Sequence, residues 1–288
     1  MTKQVKSKMA KKKTLGVFSL TSCSGCQMEI LNFNKELIDL MEHFQIIHFP
    51  MIKEFNEDKP CDIALVEGCV TTRKQVEKLK SIRKKTGFLI ALGTCATFGG
   101  IPSIKDFMSE ESVEKEVYNS SKNVSSVRAV GIAQYVDVDY FLHGCPHNKG
   151  DFLRLFQGLS IDKVPKQIET PVCVECRKRH NACLLQKGEP CMGAVTHGGC
   201  DAECPSVGII CHGCRGPIED ANVAAEVKLF SKFGYTQDDI ERFFSTFAGT
   251  SKVFNSYCHE HKSSASKCRH LHKRSRKQDK VGNIRRGF

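Results

Sequence analysis

Cysteine placement constrains the fold of this chain more than any other feature. Eight cysteines and few apolar runs lie between residues 172 and 217, which leaves this stretch little with which to build a hydrophobic core. Such a stretch needs bound metal to hold a fold. The whole chain has 16 cysteines. Because it has no apolar run of membrane-spanning length and no signal peptide, we expect a cytosolic protein, whose reduced thiols bind metal rather than form disulfides.

The chain before this stretch has a different character. From residue 14 to about 160, short apolar runs alternate with amphipathic stretches. Strands are predicted at LGVFSL, FQIIHF, DIALVEG, GFLIALG and VDYFLHG, and helices at residues 27–43, 72–85 and 147–158. This alternation is typical of an α/β fold with a doubly wound, mostly parallel sheet, here of the flavodoxin-like type.

The net charge of +11 is concentrated at the two ends of the chain. Residues 1–13 hold six lysines and no acid, while residues 251–288 hold eleven Lys or Arg against two acids. The rest of the chain is mildly acidic, which does not favour a nucleic-acid-binding fold. We therefore expect both tails to be solvated and disordered.

Four segments are predicted from these patterns. They are a basic tail (1–13), a flavodoxin-like domain (14–165), a smaller, irregular cysteine-rich domain (166–250) and a basic tail containing His and Cys (251–288). A helical pattern is also present over residues 219–247, after the cysteine-rich stretch.

Four cysteines of the first domain follow predicted strands. Cys23 and Cys26 follow one strand, Cys95 follows another, and Cys145 follows a third. Parallel winding brings the carboxyl ends of strands to the same edge of a sheet, where open α/β sheets build their sites. Any one of these cysteines could be a small buried apolar residue. Four thiolates converging beside glycines instead match the ligands of a [4Fe–4S] cluster.

The eight cysteines of the second domain fall into two sets of four. The first set is C-x2-C-x6-C-x7-C: Cys173, Cys176, Cys183 and Cys191. The second set is C-x3-C-x6-C-x2-C: Cys200, Cys204, Cys211 and Cys214. Four-cysteine zinc sites are the alternative, since C-x2-C occurs with both metals. A cluster site at the sheet edge followed by two more sets favours a chain of redox centres, which zinc cannot provide.

The motifs together resemble the small, electron-transferring subunit of [NiFe]-hydrogenases. The likeness runs from about Thr14 to Pro217 through SCSGC, LVEG, GTCATFGG, GCP, CLLQKGEPCMGAV and CHGCRGP, in that order. TSCSGCQ and PVCVECR are most similar to the delta subunit of cytoplasmic sulfhydrogenases. The small subunit of methyl-viologen-reducing hydrogenases is a close second.

This resemblance implies three [4Fe–4S] clusters. The proximal cluster, nearest the nickel–iron centre of the large subunit, would be held by Cys23, Cys26, Cys95 and Cys145. The medial cluster would be held by Cys200, Cys204, Cys211 and Cys214. The distal cluster would be held by Cys173, Cys176, Cys183 and Cys191. Cys204 replaces a proline of many exported relatives, which implies a four-iron medial cluster, and Cys173 replaces their histidine ligand.

The resemblance also implies a function without a catalytic residue in this chain. Hydrogen would be split at nickel–iron in the large subunit, and this chain, with no nickel–iron site of its own, would relay electrons as part of an oxidoreductase. Further partners would be electron-transfer subunits, either flavin- or nicotinamide-linked or linked to heterodisulfide reductase. Two other interpretations remain: a cluster subunit like that of respiratory complex I, and a structural zinc-binding adaptor.

Four cysteines match no ligand position of the family. We expect Cys61 and Cys69 to be ordinary, partly buried thiols. Cys258 and Cys268 lie among histidines in the basic C-terminal tail and could bind zinc, but the charge there and the lack of apolar residues favour disorder.

Overall fold

The structure is a computed structural model, which describes residues 12–109 and 126–255 together with Val113. Most of both predicted tails, including Cys258 and Cys268, lies outside the described residues. Lys13 already belongs to the first strand and pairs with Asp162 at 2.6 Å. Within the described part of the chain, no helix has the length and apolar character needed to cross a membrane.

The first part of the chain forms a five-stranded parallel sheet in the order β2-β1-β3-β4-β5. Its strands are β1 (Lys13–Ser19), β2 (Phe44–His48), β3 (Cys61–Glu67), β4 (Thr86–Leu92) and β5 (Tyr140–Leu142). This order is the flavodoxin-like one, so the predicted α/β fold class is confirmed. The chain turns to opposite faces of the sheet after β1 and β3, which opens a crevice between their carboxyl ends.

Helices cover both faces of the sheet. They are α1 (Gly25–Leu31), α2 (Lys35–His43), α3 (Arg73–Lys84), α4 (Gly93–Phe98) and α5 (Lys149–Ser160). The prediction of one continuous helix over residues 27–43 is wrong. Asn34 has φ +52°, outside the right-handed helical region, and it separates α1 from α2.

The central strand β3 shows how the two faces are filled. Ile63 and Leu65 belong to the apolar cluster that α1 and α5 cover, whereas Ala64 and Val66 belong to the cluster under α3. Successive residues of a strand point to opposite faces, so a strand with helices on both sides must be apolar throughout. This explains why β3 reads as a continuous apolar run in the sequence.

The second part of the chain is held by short helices and a separate aromatic core. Its helices are α6 (Val172–Lys178), α7 (Glu203–Ser206), α8 (Val223–Lys232) and α9 (Gln237–Ala248). The helical pattern over residues 219–247 is thus two helices, between which Gly234 has φ +91°. Phe230, Phe244 and Phe254 are fully buried in the core of this part. Phe254 lies beyond residue 250, where the tail was predicted to begin.

Candidate iron–sulfur sites

The carboxyl edge of the sheet carries four thiols, which we call the proximal group. They are Cys23, Cys26, Cys95 and Cys145. Cys23 lies in the turn between β1 and α1, Cys26 in α1, Cys95 in α4 directly after β4, and Cys145 shortly after β5. Burial, and after it the thiolates of Cys145, Cys69 and Cys23, raises the pKa of Cys95 to about 12. The four thiols therefore lie close enough to influence one another's charge.

Cys26 lies in the most enclosed part of this group. Its side chain is buried, and its N–H donates to Glu67 Oε1 at 3.0 Å. Glu67 is itself buried at the end of β3, where Oε2 accepts from the Gln27 amide at 2.5 Å. Burial, the Glu67 charge and neighbouring thiolates raise the pKa of Cys26, and an N–H of His147 opposes this. A thiolate here needs a cationic partner, which iron supplies when a cluster is bound.

Glycines leave room for the proximal sulfur atoms. Gly93 has φ +79°, and a Cβ at this position would lie 2.4 Å from Cys26 Sγ. Gly100 has φ +60°, and a Cβ there would lie 2.6 Å from Cys95 Sγ. Each position requires a residue without a side chain, both for its backbone angle and for the close approach of a thiol. The four thiols and the space that these glycines leave beside them fit an iron–sulfur cluster.

A second set of thiols, the medial group, lies in α7 and in the loops around it. It consists of Cys200, Cys204, Cys211 and Cys214. Burial, and after it the thiolates of Cys191, Cys214 and Cys200, raises the pKa of Cys211 well above its usual value. Burial also raises the pKa of Cys214, and the Cys204 thiolate adds to this. The structure thus brings these four thiols together, with Cys204 exposed and Cys211 buried.

A third set, the distal group, lies in α6 and in the chain that follows it. It consists of Cys173, Cys176, Cys183 and Cys191. Burial raises the pKa of Cys173 to about 12, and the thiolates of the other three members add to this rise. Cys183 is exposed, so the distal group reaches the protein surface. The structure brings the eight thiols of the second part of the chain into one region, and Cys211 of the medial group also contacts Cys191 of the distal group. Their division into two sets and their role as metal ligands stay predictions.

Contacts between neighbouring groups connect the three groups in a row. The charge of the Cys214 thiolate adds to the burial that raises the pKa of Cys145 to about 11, so the proximal group adjoins the medial group. The N–H of Cys211 donates to Cys191 Sγ at 3.2 Å, which joins the medial group to the distal group. The hydroxyl of Thr94 also donates to the carbonyl of Cys214. The medial group therefore lies between the other two.

Sequence analysis missed the charged side chains that hold these loops. Glu175, in α6 between two distal thiols, accepts from the N–H of Ala202 in the medial loop at 3.1 Å. Arg215 is 2% exposed and pairs with buried Asp151 of α5 at 2.6 Å. The sequence does contain one signal for such a residue, which is the charged Arg215 within the Cys- and Gly-rich motif CHGCRGP. Nothing in the spacing indicates the partner that such a charge meets.

Of the thiols outside the groups, the two that the structure describes are more buried than predicted. Cys61 is 5% exposed, with its sulfur 3.7 Å from Thr86 Oγ1, and Cys69 is 0% exposed against the carbonyl of Thr21. Among the residues that the structure describes, no three His, Cys, Asp or Glu side chains are gathered tightly enough to hold a single metal ion.

Comparison with known proteins identifies the relatives of this chain. Residues 23–159 match the family model for the 20 kDa subunit of NADH ubiquinone oxidoreductase. Sulfhydrogenase 2 subunit delta of Pyrococcus furiosus is 37% identical over 235 residues, which cover 81% of this chain and 98% of the relative. A subunit of the F420-non-reducing hydrogenase of Methanococcus voltae is 32% identical over 247 residues, covering 74% and 85%.

Solved structures share the fold at lower identity. The actinobacterial-type NiFe-hydrogenase from Ralstonia eutropha H16 matches with a TM-score of 0.50 and 14% identity, covering 96% of this chain and 94% of that one. A [NiFeSe]-hydrogenase of Dm. baculatum matches with a TM-score of 0.50 and 15% identity, covering 77% and 99%. A flavodoxin-like sheet with thiols at its carboxyl edge, continued by a cysteine-rich part, defines an iron–sulfur subunit. The chain belongs to the family of [NiFe]-hydrogenase small subunits, and this family implies iron–sulfur clusters.

Proposed function

We propose that this chain is the electron-relay subunit of a cytoplasmic [NiFe]-hydrogenase complex, with three [4Fe–4S] clusters and no catalytic residue of its own. Hydrogen is split at nickel–iron in the large subunit, and each cluster in this chain, when bound, accepts and donates single electrons. The observation that carries the proposal is the row of three thiol groups, in which Thr94, directly before Cys95, donates to the carbonyl of Cys214, and the N–H of Cys211 donates to Cys191 Sγ.

The side chains and backbone of this chain have two roles in the relay. Thiolates hold the clusters, with the proximal, medial and distal groups each supplying four ligands. Backbone N–H groups that donate to these sulfurs, together with burial, set each cluster's reduction potential. The Cys211 N–H on Cys191 at 3.2 Å is one such donor, and the Gly25 N–H on Cys23 at 3.4 Å is another.

Two surfaces suit the partners of a relay. Cys23 and Cys145 of the proximal group are exposed, as is the apolar side chain of Met28 in α1 beside them. We assign this carboxyl edge to the large subunit, because the first electron acceptor must lie near nickel–iron.

The surface around exposed Cys183 of the distal group is where electrons would pass to further electron-transfer subunits, flavin- or nicotinamide-linked or linked to heterodisulfide reductase. In this assignment residues 14–165 hold the proximal cluster and residues 166–250 hold the other two.

Iron and sulfide analysis of anaerobically purified protein, co-expressed with its large subunit, tests this function. Three cubanes predict about twelve iron and twelve sulfide per chain, without stoichiometric zinc. About four iron would contradict the relay. With zinc present it would indicate structural sites in the second part of the chain, and without zinc a single-cluster subunit like that of complex I. The match of residues 23–159 to the complex I family model is what keeps this second candidate open.

A further inference from the structure

Arg215 lies where the proximal and medial groups meet. It directly follows Cys214, and its side chain is 3% exposed. Its guanidinium donates to the carbonyl of His143 at 2.7 Å and to the carbonyl of Gly198 at 2.6 Å. His143 lies two residues before Cys145, and Gly198 lies two residues before Cys200. The guanidinium therefore holds one loop of each group.

Asp151 is the counter-charge of Arg215. Its Oδ2 accepts from Arg215 at 2.6 Å, and its side chain is 5% exposed. The other oxygen, Oδ1, accepts from Arg154 at 2.8 Å, and the Arg154 side chain is 38% exposed. One carboxylate thus lies between two cations, with Arg215 on the side of the thiols and Arg154 on the side of the solvent.

The charge of Arg215 lies beside the medial thiols. Arg215 directly follows Cys214, and its guanidinium lies against Gly199, the residue before Cys200. Glu175 is the nearby opposite charge, and it accepts from the N–H of Ala202 in the same loop. A positive charge beside these thiols favours the additional negative charge of a reduced cluster. Burying a guanidinium is costly unless it is paired and hydrogen-bonded, so the buried charge of Arg215 depends on its ion pair with Asp151.

We propose that Arg215 and Asp151 set the reduction potential of the medial cluster, with Arg215 raising it and Asp151 lowering it. This inference rests on the proposed function, since it requires a cluster on the medial thiols. A unit charge acting over roughly 10 Å at an effective dielectric constant of about 20 changes an equilibrium by about tenfold. Charges buried beside the cluster are therefore sufficient to move its potential measurably.

The test is a redox titration of the medial cluster, followed by electron paramagnetic resonance in the complete hydrogenase complex. In Arg215→Gln, we expect the ratio of reduced to oxidised medial cluster at a fixed potential to fall by about tenfold. In Asp151→Asn, we expect this ratio to rise. Arg215→Lys keeps the charge and should stay near the wild-type ratio. Arg154→Gln is the matched control, because it removes the solvent-side partner of the same carboxylate and should shift the ratio least.

Opposite shifts in the Arg215→Gln and Asp151→Asn complexes distinguish charge from structural support, since a loosened loop has no reason to respond with both signs. No shift, or shifts of the same sign, would overturn the inference. Loss of medial iron in both Arg215→Lys and Arg215→Gln would also overturn it, because the guanidinium would then only hold the loops. A wild-type complex without a medial cluster would instead refute the proposed function itself.

Discussion

Glu226 is a buried acid whose charge should make the stability of this protein depend on pH. It lies in the first turn of α8 and is 5% exposed, and its Oε1 has no hydrogen-bond partner. Burial raises its pKa from 4.5 to about 7. We expect Glu226→Gln, which replaces the acid by a neutral side chain of the same shape, to stabilise the protein at alkaline pH.

The size and sign of this effect follow from the two pKa values. Between pH 4.5 and pH 7 the folded protein binds a proton at Glu226 that the unfolded chain has lost, so stability falls as pH rises through this range. The free energy of unfolding is lowered by about 3 kcal/mol at pH 8 and by less than about 1 kcal/mol at pH 5. Glu226→Gln removes this loss, and its gain should therefore be about 3 kcal/mol at pH 8 and small at pH 5.

Thermal unfolding of the anaerobic complex at pH 5 and at pH 8 measures this difference. At pH 8 the variant's unfolding midpoint should exceed that of the wild type by roughly 6–12 °C, and at pH 5 the two should nearly coincide. Glu219→Gln, which changes an exposed acid just before α8, is the control and should behave like the wild type at both pH values. An equal gain at both pH values, or a loss at pH 8, would refute the reasoning.

Two further substitutions test the cluster sites. Gly93→Ala places a Cβ 2.4 Å from Cys26 Sγ and should remove about four iron per complex, the content of one cubane. Gly188→Ala, at a similar φ of +80° but with no atom within 4 Å, should keep its full iron content, and equal iron loss in both would point to backbone strain instead. Cys204→Ser should convert the medial cluster to a three-iron form, seen as a paramagnetic signal in the oxidised state. Cys61→Ser, the control, should leave the medial cluster unchanged. An unchanged four-iron cluster in Cys204→Ser would show that Cys204 is not a ligand.

The pattern of apolar residues predicted the sheet, because strands covered on both faces are apolar throughout. An apolar run such as β3 is read directly from the sequence, and parallel winding then brings the loops after β1, β4 and β5 together. The thiols within one medial or distal set are close along the chain, so their spacing was sufficient to sort them. Asn34 was not predictable in this way, because its positive φ interrupts a stretch whose apolar spacing is otherwise helical.

Contacts between distant residues depend on the folded chain and have no signature in local spacing. Arg215 meets Asp151 across 64 positions of sequence, and it meets the carbonyl of His143 across 72. Cysteine spacing therefore accounts for the two sets in the second part of the chain, whose members are close in sequence, and parallel winding accounts for the proximal set. The order of the sets in space, and the buried charge at the junction between two of them, arise only when α5 and the cysteine-rich loops pack against each other, because burial creates both the proximity and the electrostatic cost that the ion pair offsets.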